Sequence, residues 1–135
     1  MGAMEAARHG APARPAVDLE RLARVRSEVG DRTLRRYARA YLDLLFARIE
    51  RIEQAMAAAD AAEARRIMFD LRVSSDMLGA ARLPRMIAKL ESSPQSWVAL
   101  SAAHLRGVRR EARRVATELG RYLDGNGLGH AAAGR

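Results

Sequence analysis

Eight side chains between Leu34 and Met56 constrain the fold more than anything else in the chain. Leu34, Tyr37, Ala38, Tyr41, Leu45, Ile49, Ile52 and Met56 recur at i, i+3, i+4, i+7, i+11, i+15, i+18 and i+22. Only a helix brings that series onto one face, and a helix with so long an apolar stripe must bury it against other helices. Arg35, Arg39, Asp43, Glu50 and Glu53 point elsewhere and keep the opposite side wet.

Similar segments flank it. Asp18 is placed to cap a helix carrying Leu19, Leu22, Val25 and Val29, and Gly30 is placed to end it. Asp31 is the expected cap of the long helix, which should end near Ala58 or Ala59. Asp60 and Glu63 form a candidate capping box for a third helix that ends at Gly79. A short fourth helix carries Leu83, Ile87 and Leu90, with Pro84 tolerated in its first turn. Ser92-Ser93-Pro94 breaks it, and Ser93 and Pro94 suit the start of the fifth helix. That helix has a seam of Val98, Leu105, Ala112 and Leu119 beside Ser101, Val108, Val115 and Tyr122, ending near Asp124. Short connections favour antiparallel neighbours. The expected architecture is all-α: an up-down antiparallel four-helix bundle over residues 17–124 with a short N-terminal helix. Residues 1–16 and 125–135 lack an apolar period and read as flexible tails.

Composition narrows the chemistry. No cysteine is present, which removes disulfides, thiol catalysis and cysteine-ligated metals. His9, His104 and His130 lie far apart, so neither a metal centre nor a cofactor is expected. No paired-carboxylate or glycine-rich phosphate motif stands out, so an enzyme is not expected. No apolar run is long enough to span a bilayer and no secretory apolar core opens the chain, which points to a cytoplasmic protein. The formal net charge of +8 admits nucleic acid, an anionic surface or an acidic protein as partner. The basic residues are interleaved with acids on every helix, without a helix-turn-helix signature or stacking aromatics, which speaks against nucleic acid.

The third helix carries the informative pattern. Ile67, Leu71, Ser74, Ser75 and Leu78 share one stripe, while Phe69 and Val73 fall nearly opposite, among Arg65, Arg66, Arg72 and Asp76. A rotated or kinked helix would bury Phe69; an unrotated one exposes it. From Met68 to Ala80 the run resembles the signature of histidine phosphotransfer (HPt) domains, Ala-His-x-Leu-Lys-Gly-Ser-Ser-x-x-Leu-Gly-Ala. Leu71, Ser74, Ser75, Leu78, Gly79 and Ala80 match, and Arg72 keeps the charge of the family lysine. The helix plan is similar over roughly residues 17–124.

Two departures fall on the reactive side. Phe69 stands at the position of the family's phosphorylated histidine, and a benzene ring has no lone pair to attack phosphorus. Val73 stands at the position of the glycine that gives a partner access. The resemblance therefore implies a degenerate, phosphorylation-incompetent member that docks rather than transfers. Its partner would be a response-regulator receiver domain or a histidine kinase of bacterial two-component signalling. The docking residues would be Phe69 and Val73 at the centre, with Arg65, Arg66, Arg72 and Asp76 at the rim. Two other readings stay open: a repurposed binder of another protein, and a basic helical binder of nucleic acid or an anionic surface. His104, in His104-Leu105-Arg106-Gly107, echoes the signature with one residue missing and on a different helix, which favours a structural histidine over a displaced phosphoacceptor.

Overall fold

The computed structural model describes the backbone of residues 14–92 and 97–133, and the side chains of 14–92 and 102–125. The chain is all-helical. Helices α1 (Leu19–Val29), α2 (Asp31–Ala57), α3 (Ala61–Met77), α4 (Leu83–Ser92) and α5 (Trp97–Ala133) follow in order. Helix α2 packs on α1, α3 and α5, and α4 fills the remaining side between α3 and α5. The four helices α2 to α5 thus form a closed circuit around one core. Hydrogen bonds Tyr41–Ser75 and Arg51–Glu63 run in opposite senses along α2 and α3, so that pair is antiparallel. Arg35 to the Leu123 carbonyl and Arg109 to Glu53 show the same for α2 and α5.

The apolar period predicts the core closely. Leu34, Ala38, Tyr41, Leu45, Ile49, Ile52 and Met56 of α2 are buried, and Leu105, Val108, Ala112, Val115 and Leu119 of α5 meet them. Each fully buried leucine or isoleucine contributes about 1.5–3 kcal/mol. Tyr37 departs from the pattern. It lies at the edge of the stripe and remains partly in solvent.

The helix ends show why the elements stop where they do. The Asp18 carboxylate accepts from the backbone N–H of Glu20 and Arg21 and caps α1. Gly30, at φ +92°, is the turn between α1 and α2. Asp31 is not the cap of α2 but its first residue, where its carboxylate pairs with Arg35 at 2.8 Å. Asp60 accepts from the Glu63 N–H at 3.1 Å. The return half of that capping box is replaced, because the Glu63 carboxylate turns to Arg51 and Arg66. Helix α2 closes with Ala59 at φ +55°, a left-handed position that costs an alanine about 1 kcal/mol or more. Helix α3 closes with a Schellman motif: Ala80 N–H donates to the Ser75 carbonyl and Gly79 N–H to the Asp76 carbonyl.

Two expectations need correcting at the termini. The N-terminal segment is not free up to residue 16. Ala16 and Val17 are buried, the Ala81 N–H donates to the Ala16 carbonyl at 2.9 Å, and the Val17 N–H donates to Glu118. At the other end, α5 does not stop near Asp124 but runs to Ala133. Glycines at 125, 127 and 129 weaken a helix by about 1 kcal/mol each relative to alanine, yet none removes a backbone donor as proline does. Residues 1–13 and the expected Ser93–Pro94 cap lie outside the described residues.

Gly79 sits at φ +83°, and a β-carbon there would approach the Asp18 carbonyl oxygen to 2.8 Å. Gly79→Ala should destabilise the fold by about 2 kcal/mol or more, whereas Ala59→Gly should stabilise it by about 0.5–1 kcal/mol; thermal unfolding of the two variants measures the contrast. Tyr41 supplies a pH test. Burial pushes its hydroxyl up to about 12, against a smaller opposing effect of the Ser75 hydrogen bond. The unfolded chain releases that proton near pH 10 and the folded chain resists. Stability from this group is therefore full below pH 10 and falls, by on the order of 2 kcal/mol, as pH rises toward 12. Denaturant melts across that range should show the loss, and Tyr41→Phe should remove this component of the slope.

Candidate docking face on α3

Helix α3 has two faces of opposite character. Ala64, Ile67, Met68, Leu71, Ser74 and Ser75 point inward. Both serines serve packing. The Ser75 hydroxyl bonds Tyr41 Oη at 2.8 Å within the core, and the Ser74 hydroxyl donates back to the Asp70 carbonyl at 2.9 Å. Neither is aligned as a nucleophile beside a base.

The outer face carries Phe69, Val73 and Met77, exposed by 52%, 40% and 44%. The helix is therefore not rotated to hide Phe69. Met77 is a residue that the sequence reading passed over, although its position, i+8 from Phe69, continues the stripe. The three side chains form an apolar line up the wet side of α3, more than the scattered single residues that need no explanation.

The charged rim is arranged differently from the sequence expectation. Arg72 was expected to face an acidic partner. Instead its guanidinium pairs with Glu91 on α4 and lies over the Phe69 ring, 5.2 Å from the centroid. That places a cation over the face of the ring. Arg66 forms a fork with Glu63 at 2.9 and 3.0 Å and lies 3.8 Å from Asp70. The hydrogen bonds from Arg66 and Arg51, Arg66 foremost, hold the Glu63 carboxyl below the usual carboxylate range. Asp76 pairs with Arg21 of α1 at 3.0 Å, a partner that sequence spacing could not reveal. Arg65 is exposed on the same helix. The rim cations are thus mostly held by the protein's own acids, and docking would require them to exchange partners.

His104 is on α5 against α4, where its Nε2–H donates to the Met86 carbonyl at 3.1 Å. That is a structural role. Among the described residues, no group of histidine, aspartate or glutamate is placed to hold a metal ion, and no helix is long and apolar enough to cross a membrane. An open cleft of about 780 Å³ lies between the segment around Val17 and the Glu118–Tyr122 turn of α5, with no lining residue from α2 or α3.

The chain matches no family model, no curated protein and no solved structure. Its likeness to phosphotransfer domains accordingly rests on the residues of α3 and the order of the helices.

Because Phe69 is half in solvent and meets the Arg72 guanidinium at the surface, Phe69→Ala should cost no more than about 1 kcal/mol. Leu71→Ala, two residues away but fully buried, should cost about 2–5 kcal/mol. Chemical denaturation of both variants separates the surface role of one from the core role of the other.

Proposed function

We propose that this chain is a non-catalytic, HPt-like interaction module of bacterial two-component signalling. In this reading α2 to α5 are an up-down four-helix bundle in the cytoplasm, with α1 across one end. The outer face of α3 docks on the receiver domain of a response regulator and modulates it without phosphotransfer. The observation that carries the reading is the division of α3. Its buried side keeps the leucine–serine–serine–leucine pattern, while its exposed side presents Phe69 and Val73 where chemistry would otherwise occur.

The physical argument has two parts. Phe69 cannot accept a phosphoryl group, so the module cannot carry one at that position. An exposed aromatic ring beside Val73 and Met77 gives a centre that a partner would desolvate, of the kind that dominates protein–protein affinity. Arg66, exposed by 56% and released from Glu63, would meet the acidic pocket of a receiver at little cost, whereas Arg72 stays paired with the part-buried Glu91 and supports the Phe69 ring.

Calorimetric titration of a receiver-domain panel with the wild-type chain and with Phe69→Ala tests the reading. The expected result is binding by at least one receiver, weakened about tenfold or more by the substitution. Affinity unchanged by both Phe69→Ala and Arg72→Ala would place the contact elsewhere. Phe69→His should accept phosphate poorly from a phosphorylated receiver, because Val73 crowds the ring. Efficient transfer by that single variant would refute the steric part of the argument.

A further inference from the structure

The arginines of α5 are not equivalent. At about 100° per residue, Arg106, Arg110, Arg113 and Arg121 all fall within about 40° of Thr117 around the helix. All five side chains are exposed. They form a row about 22 Å long on the outside of the bundle, opposite the buried Val108, Val115 and Leu119. Helix α4 widens the patch. The Met86 methyl lies against Gly107, and the Met86 carbonyl meets His104. The short connection from α4 to α5 makes the two antiparallel. Arg82, exposed one turn before Met86, is therefore level with the turn of α5 after Gly107, which carries Arg110.

The acids that interleave with arginine in the sequence of α5 are turned away from this row. Glu111 and Glu118 lie about 100° or more around the helix from it. Glu111 is buried and meets Arg114 at 2.9 Å, and Glu118 accepts the Val17 N–H at 2.9 Å. Arg109, at the edge of the row, meets Glu53 of α2. Among the described residues no acid pairs with Arg106, Arg110, Arg113 or Arg121, and the first acid on their line is Asp124, past the last of them. The other long helices differ. On α2, Arg32, Arg36 and Arg39 share a line with Asp43, and on α3 Arg66 and Arg72 are held by Glu63 and Glu91.

We infer that the outer face of α5 binds duplex DNA through its phosphate backbone, without reading its sequence. Guanidinium groups grip phosphate oxygens in a two-pronged fork, and such contacts suffice for sequence-independent binding. The row has no large apolar side chain. It therefore lacks both the desolvated centre of a protein interface and the apolar residues with which a helix enters a membrane surface. It also has no aromatic ring on which the bases of a single strand could stack. A duplex fits the geometry. Arg106 and Arg113 lean to one side of Thr117, and Arg110 and Arg121 to the other. A helix laid along the mouth of a groove thus reaches the strand on each side. The major groove of B-form DNA, about 12 Å wide, matches a helix about 10–12 Å across, whereas the A-form groove of RNA is closed to side chains. In the circuit of helices α5 stands diagonally across from α3, so this contact goes beyond receiver docking and does not need it.

Fluorescence anisotropy of the full chain with a labelled DNA duplex of two helical turns tests this. The expected result is micromolar binding at about 50 mM salt, with log Kd rising against log salt at a slope of about 3 to 4, as four phosphate contacts require. Arg110→Gln combined with Arg113→Gln should raise the dissociation constant about tenfold or more and lower that slope by about 2. Arg24→Gln combined with Arg36→Gln removes the same charge from exposed positions of α1 and α2, and should raise the dissociation constant less than about threefold. Equal losses in the two double variants would assign the binding to net charge alone and overturn the inference. Absence of binding at about 50 mM salt would overturn it too. So would tighter binding to single-stranded DNA, to duplex RNA or to phosphatidylserine vesicles than to duplex DNA. Phe69→Ala should leave DNA binding unchanged, and a loss there would put the DNA on α3 instead.

Discussion

The closing turn of α3 at Gly79 governs what the molecule can present. The backbone must reverse there, and it does so with a left-handed glycine pressed against the Asp18 carbonyl. The same few atoms finish α3, receive the Asp18 N–H on the Gly79 carbonyl at 2.7 Å, and align Val17 beside Ala80 as an isolated antiparallel bridge. Asp18 then caps α1. One tight turn therefore fixes the end of α3, the path of the N-terminal segment and the start of α1. Because Asp18 anchors α1, Arg21 comes within reach of Asp76, and the last turn of the exposed stripe gains its ionic neighbour.

Inside the bundle a second constraint works with the first. Tyr41 and Ser75 are the hydroxyl pair that bridges α2 and α3, buried together at 2.8 Å. An unpaired buried hydroxyl would cost about 1–3 kcal/mol, so the bond disfavours sliding of one helix along the other. Sliding would also displace Arg51 from Glu63. Register inside the core thus determines which surface residues become neighbours outside it.

Much of this was legible in the sequence, for a definite reason. Periodicity reports burial, so the inward sets of α2, α3 and α5 follow from spacing alone, as do Gly30 and Asp18 at the ends of α1. Phe69 and Val73 were legible as outward residues by the same arithmetic. What escaped were relations between helices. Glu91 as the partner of Arg72 and Arg21 as the partner of Asp76 depend on how helices are juxtaposed, which no spacing within one helix encodes. The period includes Tyr37, but spacing alone does not say how far the neighbouring helix covers the edge of a stripe, and Tyr37 stays partly in solvent. The run of α5 past Asp124 is not legible either, because glycine weakens a helix without ending it as proline does.

The serines of α3 have a consequence for how such a protein can change over evolutionary time. The Ser75 hydroxyl bonds Tyr41 in the core, the Ser74 hydroxyl donates to the Asp70 and Leu71 carbonyls of its own helix, and neither bonds residue 69, 73 or 77. The two sides of the helix are chemically independent. Substitutions at residues 69, 73 and 77 leave those serine hydrogen bonds intact. The outer positions of this helix are therefore free to change while its interior stays the same.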